Sequence, residues 1–399
     1  MRVLIITSEP LDPDNVLPST FELTQAQILS RHFSVAIVSV RAGVSFTRTA
    51  KALVRRMMGS KADGQVRKHS IEGVTVFEGI GYRFPGPHTP EAELKAWVAV
   101  GMRAVSAAER SMEGDGPLVV HAHGRFLYGG ALALEAKKKY GYPYVYTDHS
   151  TFYQRGIAPV SLKPVLGQVI DGASRVTMVS RSLLGHVESY LGRPLPQAMI
   201  LPNVLDLLFE SPLPVRKDRG GEFVFVNVAS LDHKKGLDIL IRAFAKAFRG
   251  RSSVRLYLCG DGPLAGQLKA LAAELGVGET VVFRGRLAKA EVVKILDGAD
   301  FFVLPSRMET FGVVVIEALA RGVPVIATRS GGPEYIVEES TGLLVEPEDE
   351  GQLVGALVGA YEGRLVVKSA AEIRATALRR YGSDEFLKNM IQLYNSVVQ

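Results

Sequence analysis

The sequence predicts an α/β fold made of two parallel-sheet domains, and three observations carry that expectation. Short β-branched runs, apolar on both faces, alternate with helix-length amphipathic segments along the whole chain, as in sheets built from βαβ units. The rhythm breaks once, at the Pro-, Gly- and charge-rich residues 211–222. The 399 residues divide there into two halves of ordinary domain size.

Strands are expected at 3–7, 35–40, 74–77, 118–121, 144–147, 176–179 and 199–201, then at 223–228, 254–258, 281–283, 301–304 and 323–327. The domains are expected at 1–210 and 223–380, with 211–222 as the linker and 381–399 as a closing amphipathic helix. Trp97 and the helix over 98–105 read as core, and Cys259 as a small buried strand residue.

Composition excludes several classes. At 47% hydrophobic and 22% charged residues the chain is neither disordered nor collagen-like nor a coiled coil. One cysteine excludes an intramolecular disulfide framework and fits a reducing cytosol. Apolar runs fall short of the roughly 18 residues of a membrane span, and the apolar start at 3–6 is too short for a signal peptide. A cytoplasmic protein is expected, with contact to the inner face of a membrane left open. Residues 1–200 carry 23 Lys and Arg against 16 Asp and Glu, whereas 201–399 carry 24 against 25. The basic excess therefore lies in the first half, and much of it between 41 and 70. Within it, 46–59 reads as a basic amphipathic helix that either packs on the first domain or lies on an anionic membrane surface. Phe46 is the one aromatic in that basic stretch, which argues against nucleic-acid binding.

Ligands in open α/β sheets sit at the carboxyl ends of strands, and four loops there stand out in the second half. They are 228–236 with Ser230, Lys234, Lys235 and Gly236; 260–263 with Gly260 and Gly262; 305–312 with Glu309, Phe311 and Gly312; and 328–334 with Gly331, Gly332 and Glu334. Glycines let backbone N–H groups approach phosphate, lysine adds charge, and carboxylates accept sugar hydroxyls. Such loops suit a phosphate-bearing, hydroxyl-rich ligand. Lys235 at a helix start faces the wrong end of the dipole, a conflict that a bound anion resolves. The amides of Phe311, Gly312 and Val313 form a complementary helix-start anion site. Glu317, on the following helix among Val314, Ile316 and Leu319, is costly unless something pairs it.

In order and context these motifs resemble the family 4 retaining glycosyltransferases. The resemblance rests on Lys-Lys-Gly at 234–236, Gly-Asp-Gly-Pro at 260–263, Pro-Ser at 305–306, Glu-x-Phe-Gly at 309–312, Glu-Ala at 317–318 and Gly-Gly-Pro-Glu at 331–334. In the first half, His121-Ala-His123 and Thr147-Asp-His149 are similar to the family's strand-end histidines. Ser19 and Thr20 stand where the family often has Gly-Gly, and Ser230 where many members have Arg.

The resemblance implies a GT-B fold, two Rossmann-like domains facing across a cleft with the C-terminal helix returning to the first. It implies transfer of a hexosyl group, with retention, from a nucleotide diphosphate sugar of UDP or GDP type to a hydroxyl acceptor. The residues it implies for catalysis are His149, Lys235 and Glu309. For the donor they are Ser230, Lys235, Gly260, Gly262, Arg286, Glu309, Phe311, Gly312, Val313 and Glu317, and on the acceptor side Ser19, Thr20, His121 and His123. No cofactor and no metal are expected: His121 and His123 lack a third ligand, and Asp12-Pro-Asp14 reads as a loop. Gly260-x-Gly262 lacks the third glycine of a dinucleotide fingerprint, since Ala265 stands there. Plainer readings stay open, Glu309 as a helix-start acid and His149 as a structural histidine. Two rival functions do too, a nucleotide-sugar epimerase and an inactive sugar-nucleotide-binding protein. The oligomeric state is not legible.

Overall fold

The computed structural model describes residues 1–7, 9–11, 21–44, 65–83, 88–124, 126–215 and 220–398. Ser19, Thr20, Asp12, Asp14 and the 46–59 segment lie outside the described residues. The chain forms two compact units, residues 1–202 with 386–399, and residues 203–385. Both are layered α/β.

The first unit holds an eight-stranded sheet: β1 (Arg2–Ile6), β2 (Ser34–Val44), β3 (Gln65–Ile71), β4 (Val74–Arg83), β5 (Leu118–Gly124), β6 (Tyr144–Asp148), β7 (Arg175–Met178) and β8 (Met199–Ile200). Their order is β3-β4-β2-β1-β5-β6-β7-β8. Val3, Leu4, Ile5 and Ile6 of β1 are fully buried, because β1 is central and covered on both faces. Its helices are α1 (Phe21–Leu29), α2 (Pro90–Ser111), α3 (Tyr128–Tyr140), α4 (Lys163–Gly172) and α5 (Arg181–Leu191). The Thr89 hydroxyl caps α2 by accepting from the Ala92 amide at 3.3 Å, with Pro90 in the first turn. Trp97, Val100, Ala104, Val105 and Ala108 of that helix are buried, as the sequence led us to expect.

One strand departs from the all-parallel expectation. β3 runs antiparallel to β4, and Glu72 and Gly73, both at positive φ, make the two-residue turn between them. This strand reads Gln-Val-Arg-Lys-His-Ser-Ile and lies at the sheet edge with most residues exposed. An edge strand tolerates the charged residues that hid it in the sequence.

The second unit holds β9 (Phe223–Val228), β10 (Val254–Cys259), β11 (Val281–Gly285), β12 (Phe301–Leu304), β13 (Val325–Thr328) and β14 (Gly342–Val345), all parallel. The order β11-β10-β9-β12-β13-β14 is the Rossmann order 3-2-1-4-5-6 when counted within the unit. The helices are α6 (Leu237–Phe248), α7 (Ala265–Glu274), α8 (Lys289–Asp297), α9 (Val313–Ala320), α10 (Glu350–Tyr361), α11 (Ala370–Tyr381) and α12 (Ser383–Val398), the last belonging to the first unit from Phe386 onward. Phe225 packs on Phe248 at 5.7 Å, and Phe248 on Phe244 at 5.3 Å, fastening α6 to the sheet. Cys259 is buried, and burial pushes its thiol up to about 12.

The division falls between Pro202 and Asn203, earlier than the expected linker at 211–222. The physical reason is Arg321. Its buried guanidinium donates to the carbonyls of Phe209 (3.3 Å), Ser211 (2.5 Å) and Pro212 (3.2 Å) and pairs with Asp297 at 2.7 Å. Arg374 donates to the Phe209 and Glu210 carbonyls at 3.2 and 2.5 Å. Residues that look like free chain are thus held on the second unit.

In the first unit the C-terminal helix is held by a buried polar chain. The Tyr394 hydroxyl meets His121 Nδ1 at 2.7 Å, His121 Nε2 meets the Thr147 hydroxyl at 2.7 Å, and Thr147 meets Thr177 at 2.5 Å. Burial of the imidazole pushes His121 down to about 3. The unfolded chain takes up that proton near pH 6.5, so it binds more protons than the folded chain between about pH 3 and 6.5. Stability is therefore expected to fall as pH drops below 6.5, by up to about 1.4 kcal/mol per pH unit for this group. Denaturant unfolding at pH 7.5 and 5.0 measures this. His121→Asn should have a shallower acid loss than wild type, and an identical loss would remove His121 as the cause.

Candidate functional site

The switch point of the second sheet lies between β9 and β12, the central pair from which strands run out in both directions. The loops after these two strands carry Lys235 and Glu309, and the structure brings the two side chains together. The loop after β9 is tightly made. Ser230 donates its hydroxyl to Asp232 at 2.6 Å, and Asp232 accepts from the Lys234 amide at 3.1 Å, capping the short turn His233–Lys235. Gly236 follows with φ +62°, and a Cβ there would lie 2.1 Å from the Pro305 carbonyl oxygen. Backbone therefore packs on backbone between the two loops, which only glycine permits. Gly260 extends the same construction to the loop after β10: its φ is +148°, and a Cβ would stand 1.8 Å from the Ala229 carbonyl. Gly262 lies against Leu231 in the same way, at 2.6 Å.

Lys235 donates its ammonium to Glu309 Oε1, which also accepts the Ser306 hydroxyl at 3.0 Å. The side chains are 14% and 11% exposed, so the pair is sheltered but reachable. The Glu309 amide is held by the Ser330 carbonyl at 2.9 Å. Phe311 is buried, and Gly312 at φ +95° precedes α9, whose first turn has no capping side chain. Val313 opens that helix, and Glu317 lies one turn on, partly buried. Burial raises the Glu317 carboxyl to about 7; Lys289 opposes the rise and Asp206 adds to it. Lys289 and Asp206 are themselves an ion pair. Arg286, just beyond β11, is exposed.

The first unit gathers the three expected histidines at the ends of β5 and β6. His123 Nδ1 and His149 Nε2 share a hydrogen bond at 3.0 Å, and the rings of His121 and His123 stand 4.3 Å apart. Phe21, at the start of α1, covers the His149 ring at 4.0 Å. Burial and the neighbouring histidines hold His123 well below the usual imidazole range. His149 is 9% exposed. Beside it, burial raises Asp148 to about 6 against hydrogen bonds from Tyr146 (2.6 Å), the Ser150 amide (2.7 Å) and Tyr153 (3.1 Å).

His121, expected on the acceptor side, has both ring nitrogens engaged by Tyr394 and Thr147 and no exposed surface, and it fastens the C-terminal helix. Among the described residues no group of three or more His, Cys, Asp and Glu side chains could hold a metal ion, and no helix is long and apolar enough to cross a membrane. Sequence reasoning missed Ser306, Arg307, Asp238, Glu348 and Lys289. Ser306 and Arg307 lay inside a motif already singled out, and only folding reveals the partners of the others.

Two family models match the chain, Glycosyltransferase Family 4 over residues 44–208 and Glycosyl transferases group 1 over residues 214–379. A D-inositol 3-phosphate glycosyltransferase of Segniliparus rotundus is 28% identical over 316 residues, 73% of this chain and 69% of that protein. A glycogen synthase of Mycobacterium tuberculosis is 28% identical over 331 residues, 79% of this chain and 77% of its own. Among solved structures, sucrose-phosphate synthase from Thermosynechococcus elongatus has a TM-score of 0.74 at 19% identity, covering 100% of this chain and 99% of the other. Anabaena HepE in complex with UDP-glucose has 0.69 at 18%, covering 99% and 100%. Those likenesses bear on the fold, which is GT-B, and the two family models together take in most of the sequence. The chain belongs to the family 4 glycosyltransferases.

Proposed function

We propose that this glycosyltransferase moves a hexosyl group from a nucleotide diphosphate sugar to a hydroxyl acceptor with retention of anomeric configuration. The observation that carries the reading is the sheltered Lys235–Glu309 pair at the carboxyl ends of the switch-point strands, close in sequence to the uncapped start of α9. A lysine and free helix-start amides suit a diphosphate. Glu309 suits a sugar hydroxyl, and Glu317 the ribose hydroxyls. Gly260 and Gly262 keep the neighbouring loop close, and Ser230 and Arg286 border the donor. HepE, solved with UDP-glucose, favours a UDP-type donor by likeness of fold.

In the reaction the anomeric carbon–phosphate oxygen bond breaks and the acceptor oxygen bonds to the same face. The acceptor proton passes to the leaving diphosphate oxygen. Catalysis is then positioning together with stabilisation of the departing charge by Lys235 and the α9 amides. His149 is assigned to the donor sugar, with His123 behind it. Neither a cofactor nor a metal takes part in this scheme, so activity is expected to persist in chelator. Loss in chelator that magnesium or manganese restores would sink that part.

A panel of UDP-, GDP- and ADP-sugars tests the donor, since a bound donor raises the unfolding temperature by mass action. Proton NMR of the first-formed product then reads its anomeric configuration. An inverted product would overturn retention, and a converted nucleotide sugar formed without acceptor would favour the epimerase. A cytoplasmic setting with docking of 46–59 on anionic membranes is a further part of the proposal. Sedimentation with anionic and neutral vesicles at low and high salt tests it.

Glu317 makes donor affinity pH-dependent. With its carboxyl raised to about 7, the acceptor form gains population as pH rises from 6 to 8. The diphosphate of a nucleotide sugar does not titrate in this range. Donor affinity is therefore expected to strengthen across that interval in wild type and to stay level in Glu317→Gln. Calorimetric titration measures it, and a level wild-type profile would remove Glu317 from the ribose role.

A further inference from the structure

Arg307 lies on the loop that carries Glu309 and reaches across to the loop that carries Lys235. Its backbone amide donates to the Lys234 carbonyl at 2.8 Å. Its guanidinium donates to the His233 carbonyl at 2.7 Å and grips both Asp238 oxygens at 2.9 Å in two parallel bonds. The Nε arm pairs with Glu348. Lys235 is therefore bracketed along the chain, by His233 and Lys234 before it and Asp238 after it, with every bracket tied to one arginine. Glu309 follows that arginine by two residues. The arginine side chain is 16% exposed, whereas its partners Asp238 and Glu348 are 39% and 58% exposed, so the guanidinium is sheltered while its carboxylate partners meet water.

A second observation points the same way. Glu348 has φ +61°, a left-handed backbone that residues with a side chain seldom adopt. Such a conformation persists where its surroundings over-determine it, and such positions gather at functional sites. Here it accompanies the carboxylate that holds the Nε arm. A lysine at 307 would restore the charge but could not make two parallel bonds to Asp238 while reaching the His233 carbonyl and Glu348.

We infer that Arg307 is a positioning residue of the transfer reaction, holding the Lys235 loop at a set distance from Glu309 so that the Lys235 ammonium stands where the donor diphosphate arrives. This rests on the reading that Lys235 meets the diphosphate. Arg307 itself acts only through Lys235. A brace that served the fold alone would lower the unfolding temperature and leave the kinetics of the folded protein as they were.

The test uses the full chain as wild type, Arg307→Met, Arg307→Lys, Lys235→Met and the double variant Arg307→Met with Lys235→Met. Release of nucleoside diphosphate from UDP-glucose is followed, with GDP- and ADP-glucose in parallel, and thermal unfolding is recorded beside it. Arg307→Met and Arg307→Lys are each expected to lower kcat/KM at least about tenfold, with donor KM raised, because small misplacements of a charged group are costly. In the Lys235→Met background, Arg307→Met should change kcat/KM by less than about threefold, since the group it positions is gone. Losses that multiply overturn the inference, and so does Arg307→Lys with wild-type kinetics.

Should Arg307→Met fail to fold, Glu348→Ala withdraws the acceptor of the Nε arm while leaving the arginine. A donor KM raised about threefold at unchanged unfolding temperature supports the inference, and an unchanged KM overturns it. A wild-type protein that uses none of the three donors, or a fully active Lys235→Met, overturns the diphosphate reading and this inference with it. Multiplying losses in a protein that does depend on Lys235 overturn this inference alone.

Discussion

Lys235→Met is expected to lower kcat/KM by roughly a hundredfold, the usual cost of removing one group that stabilises departing charge. The same substitution should also cost stability. Glu309 would keep the Ser306 hydroxyl at 3.0 Å but lose its counter-ion at a site where it is only 11% exposed. Removing one partner of a fully buried pair costs about 3–5 kcal/mol, and the water that reaches this pair reduces the figure to about 1–3 kcal/mol. Adding Glu309→Gln should then recover stability without recovering turnover, because the unpaired carboxylate is gone while the diphosphate contact is still missing. The two readouts separate the roles. Wild-type turnover in Lys235→Met would contradict the assignment, whatever the stability.

The larger effect on stability is expected at Arg321, far in sequence from the residues it holds. Its side chain is 1% exposed, and it satisfies Asp297 together with the carbonyls of Phe209, Ser211 and Pro212. Arg321→Met takes this donor from the Asp297 carboxylate and from the Ser211 and Pro212 carbonyls, while Arg374 still holds the Phe209 carbonyl, at a cost of about 3–5 kcal/mol. For a unit of this size that corresponds to an unfolding temperature lower by roughly 10 °C. Calorimetry of the full chain measures it. A loss under about 1 kcal/mol would mean that residues 209–212 do not depend on this arginine, and that the early boundary at 202/203 has another cause.

Much of the fold was legible because the physics of a buried parallel strand is local. Runs such as those at β1, β9 and β12 must be apolar on both faces, and little else in a sequence looks like them. The two strands that escaped notice are short or polar. β14 has four residues, as β12 does, but it opens on a glycine and two of its residues are only partly buried, and β3 lies at an edge where water solvates its Arg67, Lys68 and Ser70. The cap at Thr89 and the Glu72–Gly73 turn were also written locally, yet a turn is recognised only once its strands are.

The candidate site divides in the same way. Lys235 and Glu317 stood out because a cation at a helix start and a carboxylate among apolar neighbours are locally unfavourable, and the local conflict marks them, whereas Glu309 stood out through the Glu-x-Phe-Gly motif. His121 shows the converse. The family resemblance placed it on the acceptor side, but its hydrogen-bond partners Thr147 and Tyr394 lie 26 and 273 residues away. No pattern within a window relates residues at such distances.

What the sequence determined alone is therefore the α/β class, most strands of both sheets, and the types of residue gathered at the strand ends, since each follows from the period and polarity of a short segment. What only the tertiary structure decided is pairing. It set Lys235 on Glu309, Arg307 on Asp238 and Glu348, Arg321 on the 209–212 segment, and Tyr394 on His121. A charge or a hydrogen-bonding group states its need locally, but the partner that meets the need is chosen by where the chain brings its backbone, and that depends on every strand order and crossover at once.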